Sequence, residues 1–154
     1  MKFEDYVRYD ALGLADLVDR GEVAASELLD AAIARTERVN PALNAVVYKG
    51  YDDARRWAAG DLPDGPFKGV PFLIKDLGAQ VKGWPRSSGS NFAQVPADAD
   101  DSELVRRYRA AGAGFPLIFT FSSESRSTCS ITLSFATLSK LQSTSRTSVI
   151  GSLG

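Results

Sequence analysis

The sequence contains no histidine and a single cysteine, Cys129, among its 154 residues. Without histidine, Ser-His and Cys-His catalytic arrangements and most zinc sites are excluded. One cysteine can form neither an internal disulfide nor a cluster of thiolate ligands. Any acid–base chemistry must therefore use Lys, Asp, Glu, Tyr or Ser side chains, and we interpret Cys129 as incidental rather than reactive.

The sequence also lacks a strong charge of one sign and a long apolar run. Its formal net charge is −1, which does not favour nucleic acid or an anionic membrane as a partner. The longest apolar stretches are too short to span a bilayer. The first ten residues carry three acids and no apolar core, so they do not resemble a signal peptide. These features predict a cytoplasmic location and leave the oligomeric state open.

A short apolar run, Val70 to Ile74, is followed at once by Lys75 and Asp76. A run of this length between Gly69 and Gly78 predicts a buried strand, of the kind found in sheets covered by helices on both faces. The carboxyl end of such a strand is where α/β folds place functional groups. If Lys75 is partly desolvated there, it can serve as a base. The alternative is that Lys75 is a solvated residue that begins a turn.

The remaining pattern up to residue 113 alternates helices and strands, which is typical of the α/β class. It predicts a helix over 11–20 capped by Asp10, and a second over 25–40 that Asn40 and Pro41 terminate. A strand follows within 43–48, then a helix over 52–59. A last helix begins after a cap at Asp101 and ends at Gly112. The predicted core-facing side chains of the first, second and last of these helices are Leu12, Ala15, Leu17, Val18, Leu29, Ala32, Ile33, Thr36, Leu104, Val105, Tyr108 and Ala111.

Three segments together resemble the N-terminal part of the amidase-signature family. The first is ELLDAAIARTERVNPALNAVV, residues 27–47, which is similar to the family's helix-turn-strand. The second is GPFKGVPFLIKDL, residues 65–77, which resembles its Gly-Val-Pro…Lys-Asp segment. The third is DSELVRRYRAAGA, the helix that follows the family's Gly-Ser loop. Their order and spacing cover about residues 10 to 113.

The resemblance implies an α/β fold with a mixed β-sheet flanked by helices, and a hydrolase of linear or cyclic carboxylic amides. Family members use a Ser–cis-Ser–Lys triad, in which an unprotonated lysine draws a proton from a bridging serine that activates the nucleophilic serine. On this alignment Lys75 is the triad lysine. The resemblance implies no cofactor and no metal. Among aliphatic amides, aryl amides, cyclic oligomers and glutaminyl-tRNA-like substrates, the lack of basic character favours small-molecule amides.

The resemblance ends at Gly114, where the family continues towards a Gly-Gly-Ser-Ser-Gly-Gly-Ser stretch that is missing here. Ser87 to Ser90 is superficially similar but precedes the last helix, so neither triad serine is assigned. Composition changes at the same point: 1–114 contains 5 Ser and 1 Thr, whereas 115–154 contains 11 Ser and 6 Thr. We therefore divide the chain into an amidase-signature part, 1–114, and a Ser/Thr-rich part, 115–154.

We interpret 115–154 as the product of a reading-frame change or aberrant joining; a genuine Ser/Thr-rich linker is the alternative. Within it, 115–121 has the composition of a strand. We expect 115–154 to pack poorly and to carry no functional site, and we expect protease to cut readily beyond Ser122. Because both serines are missing, we expect no amide hydrolysis by this chain alone. The competing hypotheses are a small helical binding module without chemistry and a gene fragment that does not fold stably.

Overall fold

A computed structural model describes residues 1–88 and 99–119 of the protein, and the side chains of 115–119 are not described. These residues form five helices and three strands. The elements, in chain order, are α1 Phe3–Tyr6, α2 Ala11–Asp19, α3 Ala25–Leu43, β1 Val46–Lys49, α4 Tyr51–Ala58, β2 Pro71–Lys75, α5 Glu103–Ala110 and β3 Gly114–Phe119. The predicted α/β class and the four predicted helices between residues 10 and 113 are confirmed.

The three strands form one mixed sheet in the order β1-β3-β2. The central strand β3 runs antiparallel to β1 and parallel to β2. Lys75, the last residue of β2, lies opposite Phe119 in the parallel pair. The expected strand within 115–121 is therefore confirmed up to residue 119. The expectations for 120–154, including proteolysis and the absence of a site, lie outside the described residues.

The strand β2 is covered on both faces, as its apolar composition predicts. Leu73 belongs to an apolar cluster with Tyr6, Leu14 and Leu28 from the first three helices. Its neighbour Ile74 points to the other face. The second cluster there contains Ile74 together with Ala79, Val81, Trp84, Val105 and Ala113. Because successive strand residues point to opposite faces, the five-residue strand joins both halves of the core.

The end of α3 differs from the prediction, because the helix continues through Pro41 to Leu43 instead of stopping at Asn40. Proline lacks an N–H, so near the end of a helix it removes only one hydrogen bond. The helix then ends at Asn44, whose backbone is left-handed with φ 47° and whose N–H donates to the Asn40 carbonyl at 2.7 Å. The sequence rule identified the correct region but ended the helix three residues early.

The cap of α5 was also predicted wrongly. The N-cap residue is Ser102, and its side chain makes no capping hydrogen bond. The Asp101 carboxylate instead accepts hydrogen bonds from the Lys82 N–H at 2.8 Å and from Arg109 Nε at 2.8 Å. Asp101 therefore connects α5 to the segment after β2 rather than starting the helix.

Two of the leucines predicted to face the core are exposed. Leu12 is 56% exposed and Leu104 is 45% exposed, whereas Leu14 and Val105 are completely buried. The prediction is thus wrong at these two leucines and missed Leu14, whereas Ala15, Leu17 and Val105 are buried as predicted. Both helices are short, so few apolar positions define the face, and the packing partner decides between them.

Candidate active site

Lys75 lies at the carboxyl end of β2, as the sequence predicts. Of the five strand residues, it is the one whose side chain is exposed, while Pro71, Leu73 and Ile74 are buried. Lys75 is therefore an exposed residue at the end of the strand that pairs in parallel with β3.

The next residue, Asp76, is buried, with only 2% of its surface exposed. One carboxylate oxygen accepts the backbone N–H of Ser87 at 2.9 Å, and the other accepts the Ser87 hydroxyl at 2.5 Å. A buried carboxylate is costly unless hydrogen-bond donors compensate for its lost water, and Ser87 supplies two of them. Ser87 is thus held beside the residue that follows Lys75. The first residue of the Ser87–Ser90 loop therefore lies near the strand end, as the sequence predicts. Residues 89 and 90 lie outside the described part.

Further hydrogen bonds attach the segment between Asp76 and Ser87 to two helices. The backbone N–H of Gln80 donates to Ser102 Oγ at 3.3 Å, and the Ser102 N–H donates to the Gln80 carbonyl at 2.9 Å. Trp84 Nε1 donates to Asp53 of α4 at 2.7 Å. This segment has little regular structure, yet side chains of α4 and α5 fix its path across the end of β2.

A cavity of about 290 Å³ lies between α4, the turn at residues 82–84 and α5. Lys75 does not line it, so we do not assign it to the chemistry of that lysine. Its walls are polar and aromatic, formed by Asp53, Ala54, Trp57, Lys82, Trp84, Asp101 and Arg109.

Chemically, the strand end offers an exposed primary amine next to a buried carboxylate that holds a serine. An amine can act as a proton acceptor when it is neutral and as a cation when it is protonated. Within residues 1–88 and 99–119, no group of three or more acidic, histidine or cysteine side chains could hold a metal ion. None of the helices in this part of the chain is long and apolar enough to cross a membrane.

Two sets of contacts were not predictable from the sequence pattern. The contact between Asp76 and Ser87 joins positions 11 residues apart, and the only sequence signal for it is a carboxylate directly after a buried strand. The other set joins Asn40 to Ala45 and Val46, whereas the sequence pattern indicates only a helix-stopping role for Asn40.

Known proteins match this chain over the same three segments that carry the resemblance. The family model named Amidase matches residues 27–118. The putative amidase AmiC of Mycobacterium leprae (strain TN) is 45% identical over 104 residues, which are 67% of this chain and 22% of that protein. The 6-aminohexanoate-cyclic-dimer hydrolase of Pseudomonas sp. (strain NK87) is 42% identical over 106 residues, 67% of this chain and 21% of that protein. The chain thus spans about a fifth of the length of these relatives.

Solved structures show the same fold. The structure of 6-aminohexanoate cyclic dimer hydrolase superposes with a TM-score of 0.65 at 38% identity, covering 74% of this chain and 24% of that one. The native peptide amidase from Stenotrophomonas maltophilia gives a TM-score of 0.67 at 30% identity, covering 79% and 26% respectively. The family match includes β2, Lys75 and most of β3, and the chain therefore belongs to the amidase family.

Proposed function

We propose that this chain carries the lysine-bearing N-terminal part of a hydrolase of carboxylic amides, with Lys75 as the lysine of a Ser–cis-Ser–Lys triad. The observation that carries the proposal is the position of Lys75. Lys75 is exposed at the carboxyl end of a strand in which Pro71, Leu73 and Ile74 are buried, and this strand lies inside the segment that the family model matches.

In this mechanism Lys75 acts as the first base. Its neutral amine accepts a proton from the bridging serine, which in turn accepts the proton of the nucleophilic serine as that serine attacks the amide carbonyl. Backbone N–H groups of a glycine-rich loop stabilise the oxyanion that forms. In the complete family domain, further segments would cover the exposed strand end. Such burial disfavours the charged form of lysine and so favours the base.

The proposal assigns no triad serine within the present sequence. Ser87 lies next to the strand end, and its hydroxyl donates a hydrogen bond to Asp76. It precedes α5, so it occupies a different place in the chain from the family's Gly-Ser stretch. Without the bridging serine the lysine has no relay, and without the nucleophile no acyl-enzyme forms. We therefore propose that this 154-residue chain alone does not hydrolyse amides, and that 1–114 and 115–154 are of different origin.

The proposed substrates are small-molecule amides. The named relatives include hydrolases of a cyclic amide dimer and a peptide amidase, and the net charge of −1 does not favour an RNA-linked substrate. We propose that the protein is cytoplasmic, that it uses no cofactor, and that it binds neither a membrane nor nucleic acid.

The experiment begins with the DNA sequence around codon 114. We expect another frame there to encode a Gly-Ser-Ser-Gly stretch. Both the present chain and the frame-restored protein are then purified and assayed with linear and cyclic amides. The proposal predicts turnover by the restored protein and none by the present chain.

Two results would contradict parts of this proposal separately. Robust turnover by the present chain would refute the proposal that it lacks the two triad serines. If no other frame encodes the missing stretch, the frame-change origin is refuted. A chimera that joins residues 1–113 to the remainder of a related amidase then tests the role of Lys75 independently of that origin.

A further inference from the structure

The junction after β2 is built around the carboxylate of Asp76. Each oxygen of this buried group accepts a hydrogen bond from Ser87, one from its N–H and the other from its hydroxyl. Such a pair of bonds fixes both the distance and the orientation of the two residues, since neither group can rotate without breaking one bond. The two bonds thereby join the ends of the loop that runs from Asp76 to Ser87, positions 11 residues apart.

We propose that Asp76 is a positioning residue that acts through Ser87 to hold the backbone of Lys75 at the end of β2. The functional part of this inference rests on the proposed catalytic use of Lys75. Lys75 is the last residue of its strand and lies opposite Phe119 in the pair with β3. A strand end is the part of a sheet that opens most easily, so a buried anchor on the following residue limits that opening at the position where the amine is attached.

The backbone beyond Ser87 gives a second, independent indication of constraint. Ser88 has φ 52°, one of two non-glycine residues with a positive φ in the described part of the chain. This left-handed conformation is unfavourable for a residue with a Cβ and persists only where surrounding contacts impose it. The Asp76–Ser87 bonds lie immediately before this residue, so they are among the contacts that can hold it in the left-handed conformation.

The test compares four variants of the present full chain by NMR. Asp76→Ala removes both acceptors, and Asp76→Asn keeps an oxygen for the Ser87 N–H and a side chain of the same shape. Ser87→Ala removes only the hydroxyl bond. Ser102→Ala is the matched control, because it also removes a serine hydroxyl that holds the segment after β2, but at Gln80 instead of Asp76.

In Asp76→Ala we expect exchange of the Ser87 amide hydrogen to become about 10- to 100-fold faster, as expected for a lost bond to a charged group. We also expect the backbone order parameter of Lys75 to fall from roughly 0.85 to below roughly 0.6, while that of Leu73 is unchanged. Asp76→Asn should restore most of both values. Ser87→Ala should lower the Lys75 order parameter by a smaller amount. Ser102→Ala should change neither value.

The inference is overturned if Lys75 keeps its order in folded Asp76→Ala, if Lys75 and Leu73 loosen together, or if Asp76→Asn gives no recovery. If Asp76→Ala does not fold, Ser87→Ala decides, and an unchanged Lys75 order parameter in it overturns the inference. These measurements need no turnover, so failure of the positioning role is distinguishable from failure of the proposed amide hydrolysis.

Discussion

Asn40 and Val46 exchange two hydrogen bonds that join the end of α3 to the start of β1. Asn40 Oδ1 accepts the Val46 N–H at 2.8 Å, and Asn40 Nδ2 donates to the Val46 carbonyl at 3.0 Å. The same oxygen also accepts the Ala45 N–H at 3.0 Å. The amide side chain thus bonds to a strand residue as a neighbouring strand would, and it fixes the turn between Leu43 and Val46.

This relationship predicts a loss of stability in Asn40→Ala. Three partly buried hydrogen bonds disappear and the strand's first N–H loses a partner, so we expect a loss of about 2–3 kcal/mol in the free energy of unfolding. Asn40→Asp is the comparison: it keeps the accepting oxygen but sets a carboxylate oxygen against the Val46 carbonyl, so it should also lose stability, and less so at a pH that protonates the carboxyl. Urea unfolding followed by circular dichroism measures both. Equal stability of Asn40→Ala and the parent chain would contradict the structural role of Asn40.

Gly112 should tolerate substitution less well than Gly21. Both have a left-handed backbone, with φ 86° and 69°. A Cβ at Gly112 would lie 2.8 Å from backbone atoms of Lys68, whereas a Cβ at Gly21 would meet no atom within 4 Å. We expect Gly21→Ala to cost about 1 kcal/mol, from the backbone conformation alone. Gly112→Ala should cost clearly more, because the backbone at Lys68 must also shift. Thermal unfolding of the two variants measures the difference, and equal costs would show that the close approach is absent.

A pH dependence should arise from Glu37, Lys49 and Tyr51. Hydrogen bonds from Lys49 and Tyr51 hold the pKa of the exposed Glu37 carboxyl below its ordinary value of 4.5. A carboxyl whose pKa is lowered on folding contributes stability above its unfolded pKa, and this contribution is lost as the pH falls through the folded pKa. The parent chain should therefore lose part of its advantage over Glu37→Gln between neutral pH and pH values below that folded pKa.

Denaturant midpoints of the two proteins across this pH range give the measurement. Tyr51→Phe is the control, because it removes one donor to Glu37 at 2.5 Å and should reduce the pH-dependent difference. High salt should reduce it further, since the Lys49 contact is exposed and screened. A difference that is constant with pH would show that these bonds do not form in solution.

Features that depend on neighbouring residues in the sequence were predictable, whereas features that depend on contacts between distant residues were not. The strand Pro71–Lys75 was predictable because its own apolar composition defines it, and Lys75 was found because it ends that run. The path of the chain between Asp76 and Ser87 was not predictable, since it depends on a contact between distant residues. The extension of α3 through Pro41 was missed because the nearby turn is stabilised by the Asn40 side chain, a contribution that a local propensity rule does not include.

The amide turnover of the frame-restored protein, or of the chimera, carrying Lys75→Ala decides whether Lys75 is the catalytic lysine. The matched control is Lys82→Ala, which alters another exposed lysine in the segment after β2. We expect Lys75→Ala to lower kcat by about 10³-fold or more, as is typical for removal of a catalytic base. We expect Lys82→Ala to stay close to the parent and both variants to remain folded. A folded Lys75→Ala protein with the activity of the parent would remove Lys75 from the mechanism.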